Sequence, residues 1–409
     1  MTPDQLKISP LSSYQKWIIA ILVLLLFTIV VDYMTLPALS AILLSELEIT
    51  TKQFGLLVSV YAFSAGISGL LATGFADSFD RKKLLLVYYG GFLIGMVLCA
   101  TASSLTALIT GRIVAGTFGG VVASICFAIV ADLFKVDQRG RVMGYVQMAF
   151  AASLVAGLPL TLYLATNFNW HVTYWIFFGF GLFLLIIILF RINPIREHLL
   201  ISEKENLLRH SFKMVRNRDY WTVFLNNILL VLGDAMFMTF GSAYSTNNLG
   251  ISLDDLPLLY GIGGVATLVF SPFIGQLSDR FGKLLVFLVG TAFAMLMVLL
   301  YSNLGTVPFW LVVLLHSLLF VGINSRMITS TALATVVPDQ PDRGAFMALD
   351  SSFQQVAGGV AAAAAGLIVY QASDGTIHGY SQLGLVVIAT MTVTIGLMIS
   401  INQIVKKRK

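Results

Sequence analysis

Twelve stretches of mostly apolar residues punctuate the chain, each about 20 residues long and so able to cross the roughly 30 Å hydrocarbon core of a bilayer as a helix. They begin near Trp17, Gln53, Leu84, Thr106, Val142, Trp170, Trp221, Leu256, Leu284, Pro308, Ala345 and Ser381, and are numbered here as spans 1 to 12. Short polar turns separate them, at 46–52, 77–83, 137–141 and 279–283 for example. The longest connection runs from Asn193 to Tyr220 and leaves six spans on either side. Of the 409 residues, 57% are hydrophobic and 11% charged, too few charges to cover a water-facing surface. The expected fold is an all-α membrane protein of twelve transmembrane helices in two pseudo-symmetric six-helix bundles. Residues 1–192 would form the N-terminal bundle, 193–219 a cytoplasmic linker and 220–409 the C-terminal bundle.

The net charge of +5 follows from topology. With the N-terminus in the cytoplasm, all but Lys52, Arg112 and Arg326 of the 25 Lys and Arg residues fall at the ends, in the central connection or in inner turns. That is the positive-inside bias. It predicts both termini in the cytoplasm, with Lys406 to Lys409 lying against anionic lipid. The basic residues form no continuous face, so no nucleic-acid partner is expected. Cys99 and Cys126 lie in apolar runs and read as packing residues, with no disulfide and no metal site.

A repeat of about 200 residues joins the halves. Asp32 and Asp234 are 202 residues apart, as are Asp77 and Asp279 and also Met34 and Met236. Arg139-Gly140 and Arg343-Gly344 stand at an offset of 204. A six-span unit present twice is the pattern of a duplicated transporter half, with the solute site between the halves near the midplane.

The run Gly275-Gln276-Leu277-Ser278-Asp279-Arg280-Phe281-Gly282-Lys283 resembles the signature turn of the major facilitator superfamily, G-x-x-x-D-R-x-G-[RK]. The first-half copy keeps Asp77, Arg81 and Lys82 but has Thr73, Ser78 and Asp80 where the signature has Gly, Arg and Gly. Gly111-Arg112-Ile113-Val114-Ala115-Gly116 is similar to the R-x-x-x-G motif of drug/proton antiporters. Ala156-Gly157-Leu158-Pro159 looks like a degraded form of the exporters' Gly-Pro motif, with Ala152 in place of its first Gly. The run from Ala131-Asp132-Leu133 to Asn169-Trp170-His171 resembles the arabinose-efflux branch. These resemblances imply a secondary active transporter of the bacterial cytoplasmic membrane. They point to a proton-coupled exporter of a small organic compound or drug, working as a monomer by alternating access. The other reading is a facilitator or proton-coupled importer of a sugar or organic anion, with Arg326 on the substrate.

Five charges lie inside spans, where charge is costly and functional by default: Asp32, Arg112, Asp234, Arg326 and Asp350. Asp32 lies about 15 residues past Trp17, roughly 22 Å from the cytoplasmic side, and Arg112 about 6 residues past Thr106, roughly 9 Å from the outer side. In a core of about 30 Å the two share a depth. A lipid-shielded carboxylate holds its proton more tightly and a guanidinium beside it opposes that, so a changing Asp–Arg distance exchanges a proton. Asp32 is therefore the expected proton carrier, tuned by Arg112, with a static buried ion pair as the alternative. Asp234 would bind a cationic substrate group, join the coupling, or partner a polar group in span 10 or 11. Arg326 and Asp350 would pair as an inner gate or line the cavity.

Other candidates for the cavity wall are Tyr33, Tyr61, Gln147, Asn226, Asn227, Asn324, Gln354 and Gln355. His316 reads as a satisfied core histidine. In the inner turns, Asp77, Arg81, Asp279 and Arg280 would hold the outward-facing state shut on the cytoplasmic side, and the resemblance adds Asp132. The sequence contains no H-E-x-x-H, no G-x-S-x-G and no G-x-x-x-x-G-K-[ST], so an enzyme or a nucleotide-driven pump is not expected and no cofactor is implied. The energy source would be the proton gradient.

Overall fold

The computed structural model describes residues 11–72, 78–196, 199, 214–339 and 342–407. Its long helices match the twelve apolar runs. Span 1 is Ser13–Ala38, continued past a break at Leu39 by Ser40–Glu46. Spans 2, 3 and 4 are Thr51–Ala72, Arg81–Ala100 and Leu105–Leu133. Span 5 is Val136–Ala152, a π-helical turn Ser153–Gly157 and Leu158–Asn167, and span 6 is Trp170–Arg191. Span 7 is Arg218–Thr239, continued past Phe240 by Gly241–Asn247. Spans 8 to 12 are Leu256–Phe281, Lys283–Ser302, Phe309–Ala334, Arg343–Ile368 and Tyr380–Lys407.

Eleven of these satisfy length and apolarity for a membrane crossing. Span 11 has the length, but Asp350, Gln354 and Gln355 dilute it, because one of its faces meets polar groups rather than lipid. Polar caps set several starts. Ser12 and Gln15 form a capping box on span 1, and Ser104, Asn169 and Asn217 cap spans 4, 6 and 7. Pro37, which cannot donate a backbone hydrogen bond, precedes the break at Leu39. Gly282 joins spans 8 and 9 at φ +94°, a conformation that favours glycine.

The apolar core is not one body. At the end away from the termini, a single cluster joins both halves, running from Leu36, Leu39 and Phe54 to Phe240, Tyr244, Ala362 and Tyr380. At the end carrying the termini it divides. One cluster belongs to the first half, around Leu22, Tyr89 and Val130; the other to the second, around Phe224, Phe287 and Phe346, touched across the gap by Leu70. Spans 2 and 11 stay together along their length. A Cβ on Gly55 would lie 2.6 Å from the Ala362 carbonyl oxygen, and one on Gly66 3.0 Å from that of Ser352. Spans 5 and 8 meet mainly through the distal part of span 5, Gly264 against Leu154 and Gly261 against Pro159. The distal breaks of spans 1 and 7 are pinned together where the Ala243 N–H donates to Ser40 Oγ at 3.0 Å. The molecule is sealed at its distal end and parted at the end of its termini. Outside, residues such as Phe190, Trp310 and Leu367 present apolar side chains, the surface a bilayer requires.

Candidate transport and coupling site

Span 1 carries Asp32 toward span 4. Arg112 Nη1 donates to Asp32 Oδ1 at 3.0 Å and to the Asp32 backbone carbonyl at 3.2 Å. Both side chains are 1% exposed, so neither faces lipid. The Arg112 guanidinium also lies over the Tyr61 ring, 4.2 Å from its centroid, and Tyr61 packs 5.8 Å from Tyr33. Glycines make this approach possible. A Cβ on Gly116 would fall 2.4 Å from the Tyr61 carbonyl oxygen, and one on Gly111 2.7 Å from Cys99 Sγ. The Gly-Arg-x-x-x-Gly run thus packs span 4 tightly on spans 2 and 3 and aims Arg112 at Asp32. Asp32 Oδ2 and Arg112 Nε have no hydrogen-bond partner. The pair is therefore incompletely satisfied.

The second half repeats the arrangement. Arg326 Nη1 donates to Asp234 Oδ1 at 3.0 Å, Arg326 Nη2 to Thr394 Oγ1 at 3.3 Å, and again Asp234 Oδ2 and Arg326 Nε lack partners. This corrects the expected Arg326–Asp350 gate. Arg326 is 0% exposed on the face of span 10 toward spans 7 and 12, so Asp234 claims it. Asp234 has its polar partner in span 10, one of the alternatives its sequence left open.

Asp350 sits in a different network. Asn227 Nδ2 donates to its Oδ1 and Oδ2 at 3.1 and 2.9 Å, and Gln354 Nε2 to Oδ2 at 2.8 Å. Asn226 is fully buried and donates to Ser330 Oγ at 2.8 Å, which places it behind Asn227 rather than on an open wall. Tyr33 turns its hydroxyl toward Gly358 of span 11. Gln147 is exposed, and Asn324 donates to Ser271 Oγ at 2.6 Å. His316 is not satisfied: it is 4% exposed among the rings of Tyr260, Tyr301 and Phe320, and neither ring nitrogen has a partner. Cys99 and Cys126 are buried free thiols, and among the described residues no group of His, Cys, Asp or Glu could hold a metal ion.

At the end of the termini, Arg81 Nε pairs with Asp132 Oδ2 at 2.9 Å. Asp77 lies outside the described residues. Asp279 and Arg280 stand at the exposed end of span 8, with the Arg280 guanidinium 5.3 Å from the Phe281 ring. Asp80, which replaces the signature's second glycine, has a role that its sequence context could have signalled: it is an acid placed just before a helix. It caps span 3, accepting from Lys82 N at 3.0 Å, and accepts from Arg196 Nε at 2.7 Å and Ile195 N at 3.2 Å, tying the segment after span 6 to the start of span 3. Burial pushes its carboxyl up, but the bonds from Arg196, Ile195 and Lys82 outweigh it and hold the group below the usual carboxylate range. Its stabilisation is therefore complete at neutral pH and fades as pH falls below about 4.

The degraded Gly-Pro run of span 5 forms the π-helical turn, a local widening common at functional sites. The turn sits where three spans converge, with Gly157 against Val31 of span 1 and the Leu154 carbonyl against Gly264 of span 8.

The sequence profile of the Major Facilitator Superfamily matches residues 21–362. The chain is 27% identical over 366 residues to the uncharacterized MFS-type transporter YwfA of Bacillus subtilis (strain 168), covering 86% of this chain and 84% of that one. It is 24% identical over 371 residues to the uncharacterized MFS-type transporter YbcL of the same organism, covering 91% and 93%. In fold it is similar to a bacterial homolog of the human lysosomal transporter Spinster in an inward-facing and occupied conformation, with a TM-score of 0.75 at 11% identity over 96% of this chain and 98% of that one. It is likewise similar to the peptide transporter POT, with a TM-score of 0.72 at 16% identity over 94% and 95%. Twelve helices in two repeated halves and a profile match across most of the sequence agree: the chain belongs to the major facilitator superfamily, and is a multi-pass membrane transporter and not an enzyme.

Proposed function

We propose that this transporter is a proton-coupled exporter, an antiporter of a small organic compound, in which Asp32 carries the coupling proton and Arg112 tunes it. The observation that carries the reading is the Asp32–Arg112 pair, 1% exposed on both sides and joined through one carboxylate oxygen only. Protonation of Asp32 weakens its hold on Arg112. The guanidinium then leans on Tyr61 and the Asp32 backbone carbonyl, and the contacts between spans 1, 2 and 4 change with the charge. The distribution of Lys and Arg supports both termini in the cytoplasm of a bacterium. On that orientation the sealed end is the outer one, and the conformation is open toward the cytoplasm.

Rocking of the halves then hinges on span 5, whose π-helical turn touches both span 1 and span 8. The gradient supplies the energy and no cofactor takes part. Arg326, engaged by Asp234 and Thr394, offers no free cation to a sugar or organic anion, which favours the exporter over the importer reading.

The test is transport in proteoliposomes with an imposed pH gradient, screened with charged and neutral organic solutes. The gradient drives accumulation of at least one solute. Asp32→Asn abolishes that accumulation while downhill exchange of the same solute persists. Accumulation undiminished in Asp32→Asn would contradict the assignment.

A further inference from the structure

The five charges inside the spans do not balance. Asp32 is neutralised by Arg112 and Asp234 by Arg326, each at 3.0 Å. Asp350 is left over: among the described residues no cation pairs with it, and it is only half-buried. Both of its oxygens accept amide N–H donors, from Asn227 and Gln354, the pattern of an ionised carboxylate, which accepts and does not donate.

The donors are held in that sense. Asn226 Nδ2 donates to Ser330 Oγ at 2.8 Å, Ser330 Oγ donates to Asn227 Oδ1 at 3.2 Å, and so Asn227 must present its N–H groups to Asp350. Three aligned dipoles thus stabilise a negative charge that has no counter-ion, inside a membrane where such a charge costs several kcal/mol.

The surroundings are apolar and aromatic. Phe346 and Phe353 lie one turn to either side of Asp350 on span 11 and pack on Phe224 of span 7, at ring separations of 4.6 and 5.2 Å. Gln354 and Gly358 continue the Asp350 stripe at intervals of one helical turn, and Gly358 meets the Tyr33 hydroxyl, next to Tyr61 and the coupling pair. The stripe thus leads from the parted end of the molecule to its centre.

We propose that Asp350 is the docking point for the positive charge of the transported solute, and that the substrates are apolar organic cations, amines or quaternary onium ions. The proposal rests on the exporter reading above and names its substrate class. A cation supplies the missing counter-charge, and its apolar body lies against Phe353, which is only partly buried. An anion would meet an unbalanced carboxylate and two arginines already engaged.

The test is equilibrium binding to the purified full-length protein in lipid nanodiscs with no gradient, using tetraphenylphosphonium, ethidium and benzalkonium as probes. At least one binds saturably to the wild type. Asp350→Asn weakens that binding by about tenfold or more, and Asp350→Glu stays within about threefold of wild type. A second arm needs no variant: a carbodiimide modifies Asp350 of the wild-type protein, read by mass spectrometry, and saturating tetraphenylphosphonium or whichever probe binds slows that modification. Saturable binding unchanged by Asp350→Asn, modification that the bound cation does not slow, or no saturable binding of any of the three cations would overturn the proposal. Because no gradient is present, binding reads the substrate class alone. Intact cation binding beside gradient-independent transport would sink the coupling role of Asp32 and leave this site standing.

Discussion

Replacing Arg112 with methionine is expected to lower the stability of the folded protein by about 3–5 kcal/mol, the usual cost of stripping one partner from a buried ion pair. The loss follows from the site's geometry. Asp32 would remain at 1% exposure with an uncompensated charge. The double replacement Asp32→Asn with Arg112→Met recovers most of that loss, because it removes the stranded charge as well. Arg112→Lys recovers only part, since an ammonium is a point charge and cannot bond Asp32 Oδ1 and the backbone carbonyl while lying flat on Tyr61. Thermal melting in detergent of the wild type, Arg112→Met, Asp32→Asn and the double replacement reads the coupling between the two residues. Equal melting temperatures for the single and double replacements would mean that the pair carries no such energy.

Gly366→Leu is expected to break the distal seal. A Cβ there would lie 2.6 Å from the Thr51 carbonyl oxygen and 3.1 Å from Gly55 Cα, both backbone atoms that cannot swing aside. Spans 2 and 11 must separate at this end, and the Thr51 hydroxyl loses its 2.6 Å bond to the Val369 carbonyl. Overpacking of this kind costs about 1–3 kcal/mol. If only the distally sealed state bears that cost, the balance between the two states moves by about 5- to 150-fold toward the distally open one. Spin labels at Lys52→Cys and Gln371→Cys, with Cys99 and Cys126 replaced by serine, flank the seam. The label separation lengthens in the Gly366→Leu protein and transport falls by a similar factor. An unchanged separation in a folded protein would show that the seam does not hold the sealed state.

Much of this was legible in the chain itself. The twelve spans followed from run length, and the doubling from the shared offset of Asp32 with Asp234 and Asp77 with Asp279. The first ion pair was legible because depth along two antiparallel helices can be counted, and because charge inside a bilayer is too costly to be idle. The second pair was not. Spans 4 and 10 begin at Leu105 and Phe309, 204 residues apart, so the register equivalent of Arg112 is His316, while Arg326 stands ten residues further along. The duplicated acid kept its place and its basic partner did not. Sequence gives depth but not helix rotation, and rotation decides that Arg326 meets Asp234 and that Asp350 meets Asn227. Asp80 departs from the signature, but an acid just before a helix is a capping residue, and it both caps span 3 and clamps Arg196. The paired breaks at Leu39 and Phe240, and the widened turn at Ser153–Gly157, depend on packing between the halves and have no local signature strong enough to read.

If Asp32 carries the coupling proton, its carboxyl gains and loses that proton while shielded from lipid. Infrared difference spectroscopy of the purified protein, titrated across the neutral range, reads that group directly through the carbonyl stretch of a protonated carboxyl. A titrating band present in the wild type and missing from Asp32→Asn is the predicted result. Identical titrating bands in the two proteins would contradict it, since Asp32 would then be a fixed structural charge and the coupling proton would ride elsewhere.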